Sequence, residues 1–454
     1  MRSSTVDGAS RLSFWLHVRE FAVPPSMIES ATARRAVGDW SGACAAARVD
    51  VDLNLRSAAR THGRELAAMI RADLRRLAPD LLRWHMPRIA PDGLLRPGLT
   101  LSLARYPTGH TGSAVHLVAR TPPAWADAGQ RISLALWDGS RYGTGSDPHP
   151  HPRPDRRFRL DLHRHLWDAC SAGDLRGRSG ADRQPTGLRA PEHDALRERG
   201  CAVDRWAAEV GILLRAEGRA VDAVTVRLGA RHRLVLELAG NAGEAATLRI
   251  TAASVGSHTS ALPVLPDAAT WVPPDLVLLR AGLIGADRLH PLVASALVPG
   301  HPQVDAARTR GGGVGIRVVK CRGAQHRIGL VDGVLVPLDH DPAEIRREEL
   351  LAALTGTPLP CFQAIDEAHR NPGALVDIRA RLDHGDTAGA LATVEGLLGP
   401  GALLPGGALR DELETAALRR IAHGLFRAGL AGLGPVPASR PRDRRSHPRH
   451  ATPR

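Results

Sequence analysis

Four histidines, His149, His151, His163 and His165, fall within seventeen residues, close to Asp155, Asp161 and Asp168. Imidazole nitrogens and carboxylate oxygens together form the donor set of zinc or a non-haem metal. Alternation along a strand through Phe158–Leu162 would bring Asp161, His163 and His165 to one face. The chain has 21 histidines, however, and two of these four sit in the proline-dense loop Asp147-Pro-His-Pro-His-Pro-Arg-Pro154. The cluster therefore reads as surface histidines. No metal or other cofactor is expected, and His149, His151, Asp161, His163 and His165 are the residues that would hold a metal.

Other chemistry-bearing spacings have simpler structural explanations. Asp339-His-Asp341 suggests a catalytic pair, yet Asp341-Pro-Ala-Glu344 also supplies an N-cap, a proline at the first helical position and a glutamate three residues on. Gly311-Gly-Gly-Val-Gly315 lacks the preceding strand, following helix and lysine of a phosphate cradle, and reads as a flexible joint. Asp50-Val-Asp-Leu-Asn54 begins like a calcium loop. Leu55 stands where that loop needs glycine, and Thr61 where it needs a bidentate glutamate. Lys320 could lose its proton if buried, as an arginine could not, but a surface position at a strand edge explains it equally well. No G-x-S-x-G, H-E-x-x-H or dinucleotide fingerprint is present. No catalytic residue is assigned.

All basic residues except Lys320 are arginine, and the net charge is +13 over 454 residues. The last twenty residues hold six arginines and one aspartate. A disordered basic tail over 435–454 follows, with Arg440, Arg442, Arg444, Arg445 and Arg449 as candidate polyanion contacts. The five cysteines are scattered singly, which suits reduced thiols in a cytoplasm. The run Leu12–Leu16 is too short for a secretory signal, and no stretch approaches a membrane span. The expected location is cytoplasmic, with no membrane partner.

The elements that must position these residues follow from periodicity. Ser26-Met-Ile-Glu29 fits a capping box, and Leu66, Ile70, Leu74, Leu77 and Leu81 predict a helix over about 64–84. Alternating runs at 99–103, 115–119, 132–136 and 158–162 predict an antiparallel meander with one buried face. A helix near 196–214, with Arg205, Glu209 and Arg215 on its polar side, precedes a second meander at 224–228, 234–238 and 248–250. Two short helices are expected in 276–297. Asp332-Gly333 between apolar runs predicts a tight hairpin, and helices close the chain. The class is α+β, with helical N- and C-terminal regions flanking two antiparallel meanders. The expected segments are a disordered extension at 1–26, a helical pair plus meander at 27–170, a linker at 171–191, and a helix plus meander and short helices at 192–298. A linker at 299–314, a hairpin plus helical region at 315–434 and the tail complete the chain.

One pattern recurs. Gly38-Asp-x-x-Gly-Ala43 returns as Gly385-Asp-x-x-Gly-Ala390, and at the same offset of 347 residues Ala33-Arg34 matches Ala380-Arg381 and Glu65-Leu66 matches Glu412-Leu413. A Gly-Asp turn can end one helix in the left-handed conformation and cap the next. Residues 385–400, through Gly385-Asp386, Ala390, Leu398 and Pro400, resemble the turn and second helix of a tetratricopeptide repeat. Residues 38–45 resemble it in part. The resemblance implies protein or peptide binding in a helical groove, with Gly38, Asp39, Gly385 and Asp386 as interaction candidates. The expected function is thus a protein-interaction or adaptor module with an unknown protein partner. The alternatives are a metal-dependent or hydrolytic enzyme using the His149–Asp168 segment, and non-specific nucleic-acid binding through the tail.

Overall fold

A computed structural model describes residues 3–108, 114–126, 130–139, 149, 151, 153–182, 193–218, 223–229, 232–239, 247–252, 261–300, 317–321, 324–331, 334–337, 340–341, 343–347, 350, 360, 375–398, 408–430 and 449–450. The chain divides into two compact units. The first comprises residues 1–124, 131–304 and 441–454, and the second 125–130 and 305–440. The fold is α+β, with helical terminal regions and mainly antiparallel sheets.

The first unit opens with α1 (Ser3–Phe21), where a disordered extension was expected. Phe14, Val18, Ala22 and Val23 are buried in the main core, so this stretch is held by packing rather than by its own periodicity. In α2 (Pro25–Ala36) the proline occupies the first turn and Pro24 the N-cap position, with no side-chain cap; the expected Ser26–Glu29 box does not form. α3 (Trp40–Ala46) leads into β1 (Val49–Val51), and Asn54 caps α4 (Leu55–His62) through Arg56 N and Ser57 N. The helix expected over 64–84 is two helices, α5 (Arg64–Arg76) and α6 (Pro79–His85). Pro79 has no N–H to continue the ladder, and the Ala78 N–H donates to Trp167 O instead, at 2.8 Å.

After β2 (Arg88–Ala90) and β3 (Leu94–Leu95) come β4 (Thr100–Pro107), β5 (Ala114–Arg120) and β6 (Ile132–Trp137), each where alternation placed a strand. The sheet runs β1-β6-β5-β4, antiparallel except for β1 alongside β6. The fourth expected strand, 158–162, is absent. Arg159 makes one parallel bridge to Ser102, and the chain then coils through two 3-10 turns, Leu160–Leu162 and Arg164–Leu166. Its alternating apolar residues serve two cores: Phe158 and Leu160 pack in the main one, Leu162 against the next.

The linker expected at 171–191 is folded where described. A 3-10 turn, Ala172–Asp174, runs into α7 (Leu175–Ser179), with Leu175 buried. α8 (Asp194–Glu198) and α9 (Val203–Glu217) precede the second meander, β7 (Ala223–Arg227), β8 (Arg233–Ala239) and β9 (Thr247–Ala252). α10 (Asp267–Thr270), α11 (Pro274–Arg280) and α12 (Pro291–Leu297) close this unit's ordered core. Arg205 and Glu209 of α9, expected on a solvated face, are buried. Glu209 receives Arg178 bidentately at 2.8 and 2.7 Å and Arg205 at 2.7 Å, so the ion pairs replace water.

In the second unit, β10 (Arg317–Cys321), β11 (Ala324–Val331) and β12 (Val334–Pro337) form an antiparallel sheet. Val331 pairs with Val334, which leaves the two-residue connection expected of Asp332-Gly333; those two residues lie outside the described set. α13 (Leu375–Asp383), α14 (Thr387–Leu398) and α15 (Ala408–Arg427) surround a small core of Ile378, Leu382, Ala390, Val394 and Leu409. Among the described residues no helix is long and apolar enough to cross a membrane.

A candidate ligand-binding cavity

The site begins with the sequence Trp84-His-Met-Pro-Arg88 at the end of α6. A residue before proline is driven out of the helical region. Met86, preceding Pro87, is extended at φ −59°, ψ 145°, so α6 stops at His85 and the chain enters β2. His85 and Arg88 are both carried into the interior by this bend. Arg88 is 2% exposed, donating from Nη2 to Arg83 O at 2.8 Å and from Nη1 to Gly93 O at 3.3 Å. Both acceptors are backbone carbonyls, and no described carboxylate pairs with this guanidinium.

His85 and Arg88 line a cavity of ≈160 Å³ within the first unit, together with Trp15, Phe158, His165 and Trp271. α1 supplies Trp15, the irregular segment after β6 supplies Phe158 and His165, and Trp271 follows α10. Met86, Leu101, Leu160 and Leu166 complete an apolar wall. Three buried polar atoms on this lining have no hydrogen-bond partner among the described residues: Arg88 Nε, His85 Nε2 and Trp271 Nε1. Leaving one such atom unmatched costs about 1–3 kcal/mol. Two of them, the guanidinium and indole N–H groups, can only donate.

The electrostatics of the lining follow from burial and an excess of cationic side chains. Burial pushes the Arg88 guanidinium down to about 9, with nearby Arg19 acting in the same direction. Burial also pushes His85 down to about 3, and Arg19 reinforces this against the opposing pull of Asp275. His165 is held well below its ordinary value, by burial and then by His163 and Arg178. Both imidazoles are neutral at pH 7. Three other lining cations have anionic partners: Arg157 with Asp267, Arg178 with Glu209, and Arg159 with Asp161 and Glu217. Arg11 donates to Arg199 O at 2.9 Å. Next to His85 in the chain, Trp84 Nε1 donates to Asp275 at 3.0 Å, Arg19 clasps the same carboxylate at 2.6 and 3.0 Å, and the Arg19 guanidinium lies 4.3 Å from the Trp84 ring centroid.

A larger cleft of ≈680 Å³ lies beside β5, β6 and α9, lined by Arg105, His116, Trp137, Arg159 and Glu217 among others. No side chain on its lining carries an unmatched buried polar atom among the described residues. His116 Nδ1 is 2.8 Å from Ser102 Oγ, and burial pushes this imidazole down to about 4. The smaller cavity therefore carries the stronger signal of a missing acceptor.

The histidine segment is placed as follows. His149 Nε2 donates to Thr121 O at 2.9 Å, and its Nδ1 accepts from His151 N at 3.1 Å. Asp161 is bound by Arg159 at 2.8 Å. His163 Nε2 stands 3.3 Å from Glu209 Oε2, and His165 packs edge-on to it at 5.7 Å while lining the cavity. Where a common strand face was expected for Asp161, His163 and His165, the 3-10 turns separate their roles. Among the described residues no three His, Cys, Asp or Glu side chains converge to hold a metal ion.

The recurring Gly-Asp turn has the same geometry in both places. Gly38 and Gly385 have φ of 77° and 83°, in the left-handed region that favours glycine. Asp39 Oδ1 accepts from Gly42 N at 2.8 Å, and Asp386 Oδ1 from Gly389 N at 3.1 Å. Arg34 and Arg381 bind the same two carboxylates at 3.0 and 3.2 Å. Ala43 and Ala390 are both fully buried. Asp386 is itself buried, so its carboxylate holds the helix pair together from inside. Asp341 Oδ1 accepts from Ala343 N at 2.9 Å, the helix cap read from sequence. Arg440, Arg442, Arg444, Arg445 and the side chain of Arg449 lie outside the described residues, as do Gly311–Gly315 and the side chain of Lys320.

Sequence reasoning missed Arg88, His85, Trp15 and Trp271 as a group. The available signal was the His-x-Pro-Arg bend, which predicts a helix end but not what it faces. No protein-family model matches this chain, and no curated protein or solved structure matches it.

Proposed function

We propose that the first unit is a small-molecule-binding domain, with the ≈160 Å³ cavity between α1, α6 and the segment after β6 as its site. The observation that carries this reading is three unmatched buried polar atoms, on Arg88, His85 and Trp271, around one aromatic-walled space. Native interiors leave few buried polar groups without partners, and each such group invites a functional explanation. An apolar space of this volume accommodates a molecule about the size of one benzene ring. Ligand sites commonly combine an apolar wall with a few convergent polar groups, and this lining has that composition.

Calorimetric titration with toluene tests the reading. Saturable, one-to-one binding is expected in the wild type. Ala268, on α10 at the cavity wall, is the position for a blocking change. In Ala268→Phe the added ring fills the space, and toluene binding is expected to vanish while the melting temperature holds or rises. A wild type that shows no saturable binding contradicts the proposal.

A further inference from the structure

We infer that the ligand of this cavity is a small organic monocarboxylate of about one-ring size, bound through its carboxylate to the Arg88 Nε–H. This inference rests on the cavity being a ligand site and adds the chemistry of its occupant. Two observations converge. The unmatched side-chain atoms include two obligate donors, Arg88 Nε and Trp271 Nε1, so the matching group must accept hydrogen bonds. The buried guanidinium of Arg88 has only carbonyl partners, whereas Arg157, Arg159 and Arg178 on the same lining are paired with carboxylates. Arg88 is buried at 2% exposure without a carboxylate partner among the described residues, whereas Arg11, which donates to Arg199 O, is half-buried; one such buried positive charge calls for one negative charge.

The remainder of the lining selects the rest of the ligand. Trp15, Phe158 and Trp271 line the space for an apolar body, and ≈160 Å³ limits that body to roughly one ring. A phosphate dianion would bring a second charge and more acceptor oxygens than this donor set can satisfy. With its proton on Nε2, neutral His85 supplies a further donor to the second carboxylate oxygen. Held neutral by burial, it adds no charge that would demand a second anion.

Three probes of similar size separate this inference from the reading beneath it: benzoate, benzamide and toluene, titrated calorimetrically into the full chain at pH 7. Benzoate is expected to bind at least roughly tenfold more tightly than benzamide, as a charge-assisted hydrogen bond to a buried guanidinium requires. In Arg88→Met the benzoate preference is expected to disappear while toluene still binds. Toluene binding with benzoate no tighter than benzamide overturns the carboxylate assignment and leaves the cavity as a ligand site. Failure of all three probes removes the site itself. The wild-type series is decisive even if Arg88→Met does not fold.

Discussion

Acidification should destabilise the first unit through His85. The imidazole is half-buried at the cavity wall, with its Nε2 shut off from solvent, and burial pushes it from an ordinary 6.5 down to about 3. Below pH 6.5 the unfolded chain takes up a proton that the folded chain refuses, so acid pulls the equilibrium towards unfolding. The loss begins as pH falls through 6.5 and levels off near 3, where the folded form is protonated as well. At about 1.36 kcal/mol per unit, moving from pH 7 to pH 5 removes about 2 kcal/mol through this one residue. His165 and His116 shift in the same direction and add to the slope. The assay is urea unfolding at pH 7 and pH 5, followed by tryptophan fluorescence. That probe suits the purpose because every tryptophan except Trp125 belongs to the first unit. His85→Gln should shrink the difference between the two pH values by about 2 kcal/mol; any packing cost of the glutamine is common to both and cancels. An unchanged difference would refute the burial argument for His85.

Two further outcomes follow from the packing. Asp275→Ala leaves the Arg19 guanidinium and the Trp84 N–H buried without their acceptor, and should destabilise the first unit by about 3–5 kcal/mol in a denaturant melt. A cost under about 1 kcal/mol would mean that water reaches the pair. In the second unit, Gly389→Ala drives a methyl to 2.1 Å from Asp386 Oδ2, so the clasp must open. The expected loss is about 1–2 kcal/mol, the range for a lost N-cap, read from hydrogen exchange over residues 375–398.

Much of the architecture was legible because it depends on local period. The strands at 100–107, 114–120 and 132–137 appear where Leu101, Leu117 and Leu134 alternate with their neighbours, and each of these leucines is fully buried. The three-residue strand β1 was not legible, since Val49-Asp-Val51 is too short to show a period and is recruited by β6. Residues 158–162 carry an alternating pattern but divide it between two cores, which periodicity alone cannot reveal. α1 lacked a clean apolar stripe, so its order comes from tertiary contacts that a local window does not contain. The Gly-Asp repeat was fully visible, because its turn geometry is encoded within five residues.

The cavity was illegible for a different reason. Its walls come from residues 11 to 274, and nothing in the sequence distinguishes Arg88 from the other arginines. What marks Arg88 is burial at the cavity wall with an Nε–H that meets no acceptor among the described residues, which only the fold reveals. The segment first singled out for its histidines does contribute, through His165 and its neighbours Phe158 and Leu160, as a wall of that space.

The most direct test of the central claim is a crystal of the full chain soaked in 4-bromobenzoate, with data collected at the bromine absorption edge. The account predicts one strong anomalous peak inside the cavity bounded by Trp15, Phe158 and Trp271, with the carboxylate at hydrogen-bonding distance, roughly 3 Å, from Arg88 Nε. A cavity without bromine, at soaking concentrations that label other surfaces of the protein, would contradict it.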